Sequence, residues 1–182
     1  MGDTETAGFG VPVLGFIAPS GTGKTTLLEQ VIAYLAARGL RIGVVKQARE
    51  DFDVDVPGKD SYVLRKAGVE RLMIASRRKS ALIVEHPGGG DPQLATVLGL
   101  LDRTALDLVL VEGFSAQPFP KIELRRQGQG EPRHLRDPWV IAVACDRPEP
   151  AAVPLLDLND PAAVCAFVLA WWEHARRAAK ST

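Results

Sequence analysis

Short apolar runs alternate along this chain with segments in which apolar positions recur at helical spacing. A continuous apolar run is typical of a strand covered on both faces, and runs of this kind separated by helices favour a mainly parallel sheet. The predicted strands are 11–17, 40–45, 71–75, 81–85, 106–111, 122–126, 140–145 and 153–156. The predicted helices are 25–38, 60–67, 91–103 and 161–177. The pattern predicts an α/β fold in which helices flank a mainly parallel sheet.

The junction between the first strand and the first helix carries a phosphate-binding pattern. Residues 18–25 read A-P-S-G-T-G-K-T, which departs from the P-loop pattern G-x-x-x-x-G-K-[ST] at Ala18 alone. Alanine is acceptable there if its φ is negative. The N–H groups of such a turn and the positive end of the helix converge on one point, which suits a nucleotide polyphosphate. The expected nucleotide-binding residues are Ser20, Gly21, Thr22, Gly23, Lys24, Thr25 and Thr26.

Two residues of this loop have expected chemical roles. Lys24 is expected to reach the β- and γ-phosphates and to act in catalysis, and the Thr25 hydroxyl to ligate Mg²⁺. The fold is therefore predicted to be that of a P-loop NTPase.

Acidic side chains follow two of the predicted strands. Glu112 directly follows the fifth strand, as in a Walker B element, and is expected at the edge of the sheet where the P-loop lies. It would hold Mg²⁺ through water or orient an attacking water, and the alternative is an acid that caps the next turn. Asp51, Asp53 and Asp55 alternate after the second strand, so an extended backbone places them on one face. Asp53 and Asp55 are therefore candidate metal ligands, and a solvated acidic loop is the alternative.

Length and composition narrow the choice of class. A chain of 182 residues with 46% hydrophobic content suits one domain, predicted as 11–182 after a loose polar N-terminus, 1–10. The formal net charge of zero gives no general attraction to nucleic acid or to an anionic membrane. Cys145 and Cys165 lie in apolar runs and are expected to be buried thiols in a reducing compartment. With no apolar segment long enough to span a bilayer, the expected location is the cytoplasm.

Four segments carry a pattern more specific than the P-loop by itself. They read S-G-T-G-K-T-T (20–26), D-V-D-V-P-G-K-D-S-Y with R-K-A-G (53–62, 65–68), L-V-E-G-F (110–114) and P-F-P-K-I-E (118–123). The P-loop is shared with many NTPases, but the second segment, and the third together with the fourth, are much narrower signals. Together the four segments resemble the molybdopterin-guanine dinucleotide biosynthesis protein B (MobB) family, and the resemblance runs from the first strand to the last helix.

The resemblance implies a GTP-binding adapter that assists a separate guanylyltransferase in attaching GMP to molybdopterin. It also implies weak GTPase activity and a homodimer, and it leaves open whether the molybdopterin intermediate binds directly. One segment departs from the family: Gln47-Ala48-Arg49 stands where histidine-containing residues are common. No role of those histidines is carried over.

The chain has no N-K-x-D motif for binding guanine, so the expectation of GTP rests on the resemblance. Asp146 follows the 140–145 strand and Asn159 precedes the last helix, and both are candidate base contacts. A carboxylate can accept hydrogen bonds from the N1–H and N2–H₂ groups of guanine. For Asp146 the alternative is a turn-capping role.

Two other functions compete with the adapter. An ATP-dependent small-molecule enzyme of the dethiobiotin-synthetase kind would use the same P-loop, the Glu-Gly pair and the acids after the second strand. A metallochaperone GTPase for nickel is disfavoured by the lack of a Cys/His cluster. His86, His134 and His174 have neither metal-ligand spacing nor a visible acidic partner, and no function is assigned to them.

Overall fold

A computed structural model describes residues 6, 8–48 and 52–179 of the chain. The strands are β1 (Val13–Ile17), β2 (Ile42–Lys46), β3 (Arg71–Ala75), β4 (Ser80–Val84), β5 (Leu108–Glu112), β6 (Lys121–Arg125), β7 (Val140–Cys145) and β8 (Leu155–Asp157). The helices are α1 (Lys24–Ala36), α2 (Asp60–Lys66), α3 (Leu94–Leu98) and α4 (Pro161–Ala179). Asp51 and most of the predicted loose N-terminus lie outside the described residues.

The chain divides into two compact units, of which the smaller is 48–91. The larger unit holds a six-stranded sheet in the order β2-β5-β1-β6-β7-β8. Every pair of neighbours in it is parallel, so the predicted α/β architecture is confirmed. The carboxyl ends of parallel strands lie at one edge, which brings the segments that follow β1, β5, β6 and β7 together there.

Apolar side chains cover both faces of this sheet, as the continuous apolar runs predict. In β5, Leu108 and Leu110 join the cluster that contains the buried positions of α1 and α4. Val109 and Val111 alternate with them and join the second cluster, which contains the buried leucines of α3. The central strands are therefore fixed from both sides, and their carboxyl ends form a rigid edge.

The third helix is the main error of the sequence prediction, which placed it at 91–103. It spans Leu94–Leu98, and its N-cap is Gln93 and not Asp91. The Gln117 side chain supplies the missing cap, since its Oε1 accepts a hydrogen bond from the Leu94 N–H at 2.7 Å. A partner so far along the chain leaves no local signal. Gly99 is the C-cap of the helix, and a short 3₁₀ turn, Arg103–Ala105, leads into β5.

The smaller unit contains α2 and an antiparallel hairpin of β3 and β4. The basic residues Arg77, Arg78 and Lys79 lie in the turn of this hairpin, and Ser76 closes it by a hydrogen bond from its N–H to the Lys79 carbonyl at 2.9 Å. The hairpin has exposed apolar side chains, among them Met73 at 60% and Leu82 at 40%.

Two predictions about the whole chain can be compared with the structure. Cys145 and Cys165 are buried free thiols, as expected from their apolar surroundings. Burial raises the pKa of both thiols. Within the part of the chain that the structure describes, no helix combines the length and the apolarity needed to cross a membrane.

Candidate functional site

The P-loop lies between β1 and α1 with the backbone that its glycines require. Gly21 and Gly23 have φ of +77° and +96°, and Gly23 is the N-cap of α1. Residues that carry a side chain rarely adopt such positive φ angles, so glycine is needed at both positions. Ala18 meets the condition set for it, because Phe114 is the only described residue other than glycine with a positive φ. The departure from the P-loop pattern therefore costs no backbone strain.

Glu112 stands between two lysines at the carboxyl edge of the sheet. Its Oε1 lies 3.6 Å from Lys24 Nζ, and its Oε2 lies 3.7 Å from Lys46 Nζ. Lys46 is paired with Glu112 in the β2–β5 register, whereas Lys24 comes from the start of α1. The structure thus brings the predicted catalytic residues Lys24 and Glu112 together, and it adds Lys46. The cluster offers positive charge for phosphate and a carboxylate for a metal ion or a water.

The turn after Glu112 is held by Gln47. Gly113 and Phe114 have φ of +98° and +52°, and Phe114 is buried. Gln47 Oε1 accepts a hydrogen bond from the Phe114 N–H at 2.7 Å, and the Gln47 N–H donates to the Glu112 carbonyl at 2.9 Å. A Cβ atom on Gly113 would lie 2.8 Å from the Gln47 Cβ, so the close approach also requires glycine. Gln47, the first residue of the segment that departs from the expected family pattern, therefore holds the turn that follows Glu112.

Two side chains that the sequence did not indicate contact the P-loop from the segment after β6. Arg126 Nε donates to the Thr22 carbonyl at 3.0 Å. Gln129 Nε2 donates to Thr22 Oγ1 at 2.9 Å, and Gln129 Oε1 accepts from the Arg126 N–H at 3.0 Å. Thr22 is 1% exposed as a result.

A pocket of about 230 Å³ lies beside this contact, lined by residues 125–128 and 145–149. Asp146 belongs to its wall, as its prediction as a base contact requires. Asp146 Oδ1 accepts from the Gln127 N–H at 3.0 Å, and Oδ2 lies 3.9 Å from Arg126 Nη1. Asn159 lies in the turn before α4, where its N–H donates to Asp157 Oδ1 at 2.7 Å. Asn159 does not line the pocket, so the structure does not bring the two predicted base contacts together there.

The acidic candidates of the smaller unit surround an arginine. Arg65 lies 2.5 Å from Asp53 Oδ1, 3.6 Å from Asp55 Oδ2 and 2.7 Å from Glu85 Oε1. Hydrogen bonds to Glu85 and Asp53 raise the pKa of Arg65. The Ser61 hydroxyl also donates to Asp55 at 2.7 Å. Repulsion among these carboxylates is thus relieved by Arg65.

Metal binding by Asp53 and Asp55 stays a prediction. The described residues contain no group of three or more His, Cys, Asp or Glu side chains arranged to hold a metal ion. Thr25, the other predicted ligand besides Glu112, lies in the first turn of α1.

Strand β6 carries a buried charged row that the sequence did not show as such. Glu123 accepts hydrogen bonds from the Arg133 and His134 N–H groups at 2.9 and 2.8 Å, and its Oε2 lies 3.1 Å from His134 Nδ1. The statement that His134 lacks an acidic partner is therefore wrong. Arg125 Nε lies 2.7 Å from Glu149 Oε1. Lys121 is fully buried and donates to the Gln117 carbonyl at 2.6 Å and to Asp137 at 3.1 Å. Lys121, Glu123 and Arg125 are alternate residues of β6, and they thus contact the chain segments before and after this strand.

The chain is similar to known proteins of one family. Residues 13–146 match the family model described as molybdopterin guanine dinucleotide synthesis protein B, MobB. The molybdopterin-guanine dinucleotide biosynthesis adapter protein of Escherichia coli is 47% identical over 90% of this chain and 94% of its own length. The adapter protein of the same description from Haemophilus influenzae is 39% identical over 90% of this chain and 91% of its own length.

A solved structure supports the fold. The crystal structure of a MobB protein homologue from Bacillus stearothermophilus superposes with a TM-score of 0.70 at 24% identity. It covers 89% of this chain and 98% of its own. At this identity the likeness concerns the fold alone.

Proposed function

Since this chain belongs to the MobB family, we propose that it is a GTP-binding adapter with weak GTPase activity in the biosynthesis of molybdopterin guanine dinucleotide. In this role it assists a guanylyltransferase that transfers GMP to molybdopterin, and it works as a homodimer in the cytoplasm. The observation that carries the proposal is the cluster of Lys24, Glu112 and Lys46 beside the P-loop. A polyphosphate is the ligand that this charge pattern and loop suit best.

The phosphate end of the site also fits Mg²⁺. The Thr25 hydroxyl and the Glu112 carboxylate are oxygen ligands of the type that Mg²⁺ prefers, and phosphate oxygens complete such a set. Bound there, the ion would neutralise charge on the β- and γ-phosphates. Asp53 and Asp55 are proposed as further metal ligands, and because both now contact Arg65, binding a metal ion would require a change of partner. Glu112 would in addition orient a water toward the γ-phosphate.

The guanine base is proposed to occupy the pocket beside Asp146. A carboxylate accepts from N1–H and N2–H₂ of guanine, whereas adenine offers no such pair of donors on that edge. The capping bond from Gln127 uses Oδ1, and Oδ2 faces Arg126 at 3.9 Å. Asp146 is therefore the residue that would favour GTP over ATP.

Partner binding and self-association need exposed surface of a suitable kind. The β3–β4 hairpin has apolar side chains that are exposed to solvent in the single chain, and Met73 is 60% exposed. A two-stranded hairpin is marginal by itself, so burying this surface would stabilise it. We propose a second copy of the chain as its occupant.

Calorimetric titration with GTP and with ATP, both with Mg²⁺, tests the proposal. We expect GTP to bind more tightly, and Asp146→Asn to lower the affinity for GTP while leaving that for ATP unchanged. Losing a charge-assisted bond of about 1.5–3 kcal/mol corresponds to roughly a ten- to hundredfold loss in affinity. A preference for ATP in the unsubstituted protein would instead support an enzyme of the dethiobiotin-synthetase kind.

A further inference from the structure

We infer that residues 126–129, the segment after β6, form a brace that aims the phosphate-binding N–H groups of the P-loop. Arg126 and Gln129 are its positioning residues. The inference rests on the proposed phosphate site, but it does not depend on which base is bound.

The first contact fixes the peptide unit between Thr22 and Gly23. Arg126 Nε donates to the Thr22 carbonyl at 3.0 Å, and Arg126 Nη2 lies 3.7 Å from the place where a Cβ atom on Gly23 would be. No described peptide bond is cis. In a planar trans peptide, the N–H group of one residue points opposite to the carbonyl of the residue before it. The Gly23 N–H is therefore directed away from Arg126, as one of the donors that a glycine-rich turn offers to phosphate.

The second contact fixes the peptide unit between Pro19 and Ser20. The Thr22 hydroxyl donates to the Pro19 carbonyl at 2.9 Å and accepts from Gln129 Nε2 at 2.9 Å. The same planarity sets the direction of the Ser20 N–H. Because Thr22 is 1% exposed, its hydroxyl relies on these protein partners and not on water in the unsubstituted protein.

The brace is itself held by the sheet. Arg125, at the end of β6, donates through Nη2 to the Gln129 carbonyl at 2.9 Å and to the Gly130 carbonyl at 3.0 Å. Arg125 is 6% exposed. Its contacts place Gln129 against Thr22 before any ligand arrives, so a bound phosphate meets N–H groups that are already oriented. Preorganisation of this kind raises affinity without a new contact to the ligand.

Gln129 separates this role from simple attraction by charge. Arg126 has a side chain that is 43% exposed and carries a positive charge that would attract any phosphate nearby. Gln129 is neutral and contacts Thr22 and Arg126. An effect of Gln129 on phosphate affinity therefore reports the orientation of the loop.

The experiment measures the affinity for inorganic tripolyphosphate and for GTP by calorimetry, with thermal unfolding of each variant alongside. We expect Gln129→Ala and Thr22→Val each to weaken tripolyphosphate binding about three- to tenfold. The double variant should lose less affinity than the two single losses added together in free energy, because both changes remove the shared hydrogen bond between Gln129 and Thr22. Thr22→Ser keeps the hydroxyl and should bind tripolyphosphate more tightly than Thr22→Val does.

Arg136→Ala is the matched control, since it removes an exposed guanidinium from the same β6–β7 connection, where Arg136 pairs with Glu131 at 2.8 Å. It should change neither affinity. Unaltered tripolyphosphate binding by Gln129→Ala, or losses that add in the double variant, would overturn the brace. If Thr22→Ser binds tripolyphosphate as weakly as Thr22→Val, the brace is also overturned. The loss of affinity would then come from a structural defect and not from the missing hydroxyl. If the unsubstituted protein binds tripolyphosphate but not GTP, the proposed function fails while the brace is still tested.

Discussion

At the scale of single residues, Lys24 and Glu112 touch each other yet are expected to act at different stages. Lys24 Nζ and Glu112 Oε1 are 3.6 Å apart, a distance typical of a loose ion pair. Phosphate competes for Lys24 and a metal ion or water competes for Glu112. Substituting them separately therefore distinguishes binding from turnover.

Lys24→Ala should abolish nucleotide binding without unfolding the protein. The change removes charge-assisted bonds to phosphate, each worth about 1.5–3 kcal/mol, and leaves the two apolar clusters intact. Calorimetry with GTP and circular dichroism during heating would check both parts. Lys66→Ala is the control, because Lys66 lies over the Tyr62 ring in the smaller unit, 5.5 Å from its centroid. GTP affinity equal to that of the unsubstituted protein would contradict the phosphate role of Lys24.

Glu112→Gln should lower the hydrolysis rate more than the affinity for GTP. The amide keeps the shape of the side chain but loses the charge that orients water or a metal shell, and that charge acts mainly on the transition state. Single-turnover hydrolysis and equilibrium binding separate the two effects. Glu131→Gln, at an exposed ion pair with Arg136, serves as the comparison. If hydrolysis is unchanged, Glu112 is a structural acid.

Sequence reasoning found the residues whose signal is local. The P-loop and the Glu-Gly pair each lie within a few positions of a strand end, so pattern and context coincide. It missed Arg126 and Gln129 because their partner, Thr22, lies more than a hundred positions away, and no spacing rule connects them. Gln47 was noted as a departure, but its hydrogen bond to the Phe114 N–H depends on how two neighbouring strands end.

At the scale of elements, long apolar strands were predictable and the short helix was not. Strands β3 and β7 have the predicted bounds, and β5 and β6 differ by one or two positions. Burial on both faces makes the apolar runs of β5 and β7 continuous, which is a strong pattern, whereas β3 is mostly exposed and β6 alternates charged and apolar residues. Helix α3 is short, and its first N–H donates to Gln117. The pattern predicted a helix that begins at Asp91, because Asp91-Pro92 resembles a helix start, and that continues to 103.

The edge strand β2 is tied to β5 by an ion pair that gives a pH dependence. Arg41 contacts Asp107 through Nε at 3.0 Å and Nη2 at 2.9 Å, and the Arg41 N–H donates to Asp107 Oδ2 at 2.9 Å. These bonds lower the pKa of Asp107 to about 2. A carboxylate with a lowered pKa stabilises the folded state above its unfolded pKa, about 3.9, and loses this contribution as the pH falls through the folded value.

Asp107→Asn should therefore lower the melting temperature at pH 7. The difference in melting temperature from the unsubstituted protein should shrink as the pH falls from 4 to 2. Thermal unfolding across this range, compared with the unsubstituted protein, measures it. Partial exposure of both side chains keeps the effect small. A difference in melting temperature that stays constant down to pH 2 would show that packing, and not charge, is responsible.

At the scale of the whole molecule, two described arginines near the P-loop, Arg125 and Arg126, already have contacts within the chain. Arg125 pairs with Glu123 and Glu149, and Arg126 donates to the Thr22 carbonyl. In P-loop GTPases, an arginine that stabilises the transition state accelerates hydrolysis by roughly 10³–10⁵. Because both side chains are engaged, we expect neither Arg125 nor Arg126 to supply that acceleration in the single chain.

The purified protein should therefore hydrolyse GTP slowly, and the guanylyltransferase or a second subunit should accelerate it. Steady-state hydrolysis measured over a range of protein concentrations, with and without the guanylyltransferase, separates the two sources. Turnover by the protein alone at about 10 per second, a typical enzyme rate, would contradict the adapter role.

The order of strands in the sheet has a consequence for how the protein is made. Gly15 of β1 pairs with Val111 of β5 and with Lys121 of β6, and β2 also pairs with β5. A ribosome releases the N-terminal part first, so β1, the P-loop and β2 emerge while their neighbours have not yet been synthesised. Until β5 and β6 follow, two apolar strands have unpaired edges, a state prone to aggregation. The phosphate site is encoded early in the chain, and it can be assembled only when translation is well past the middle.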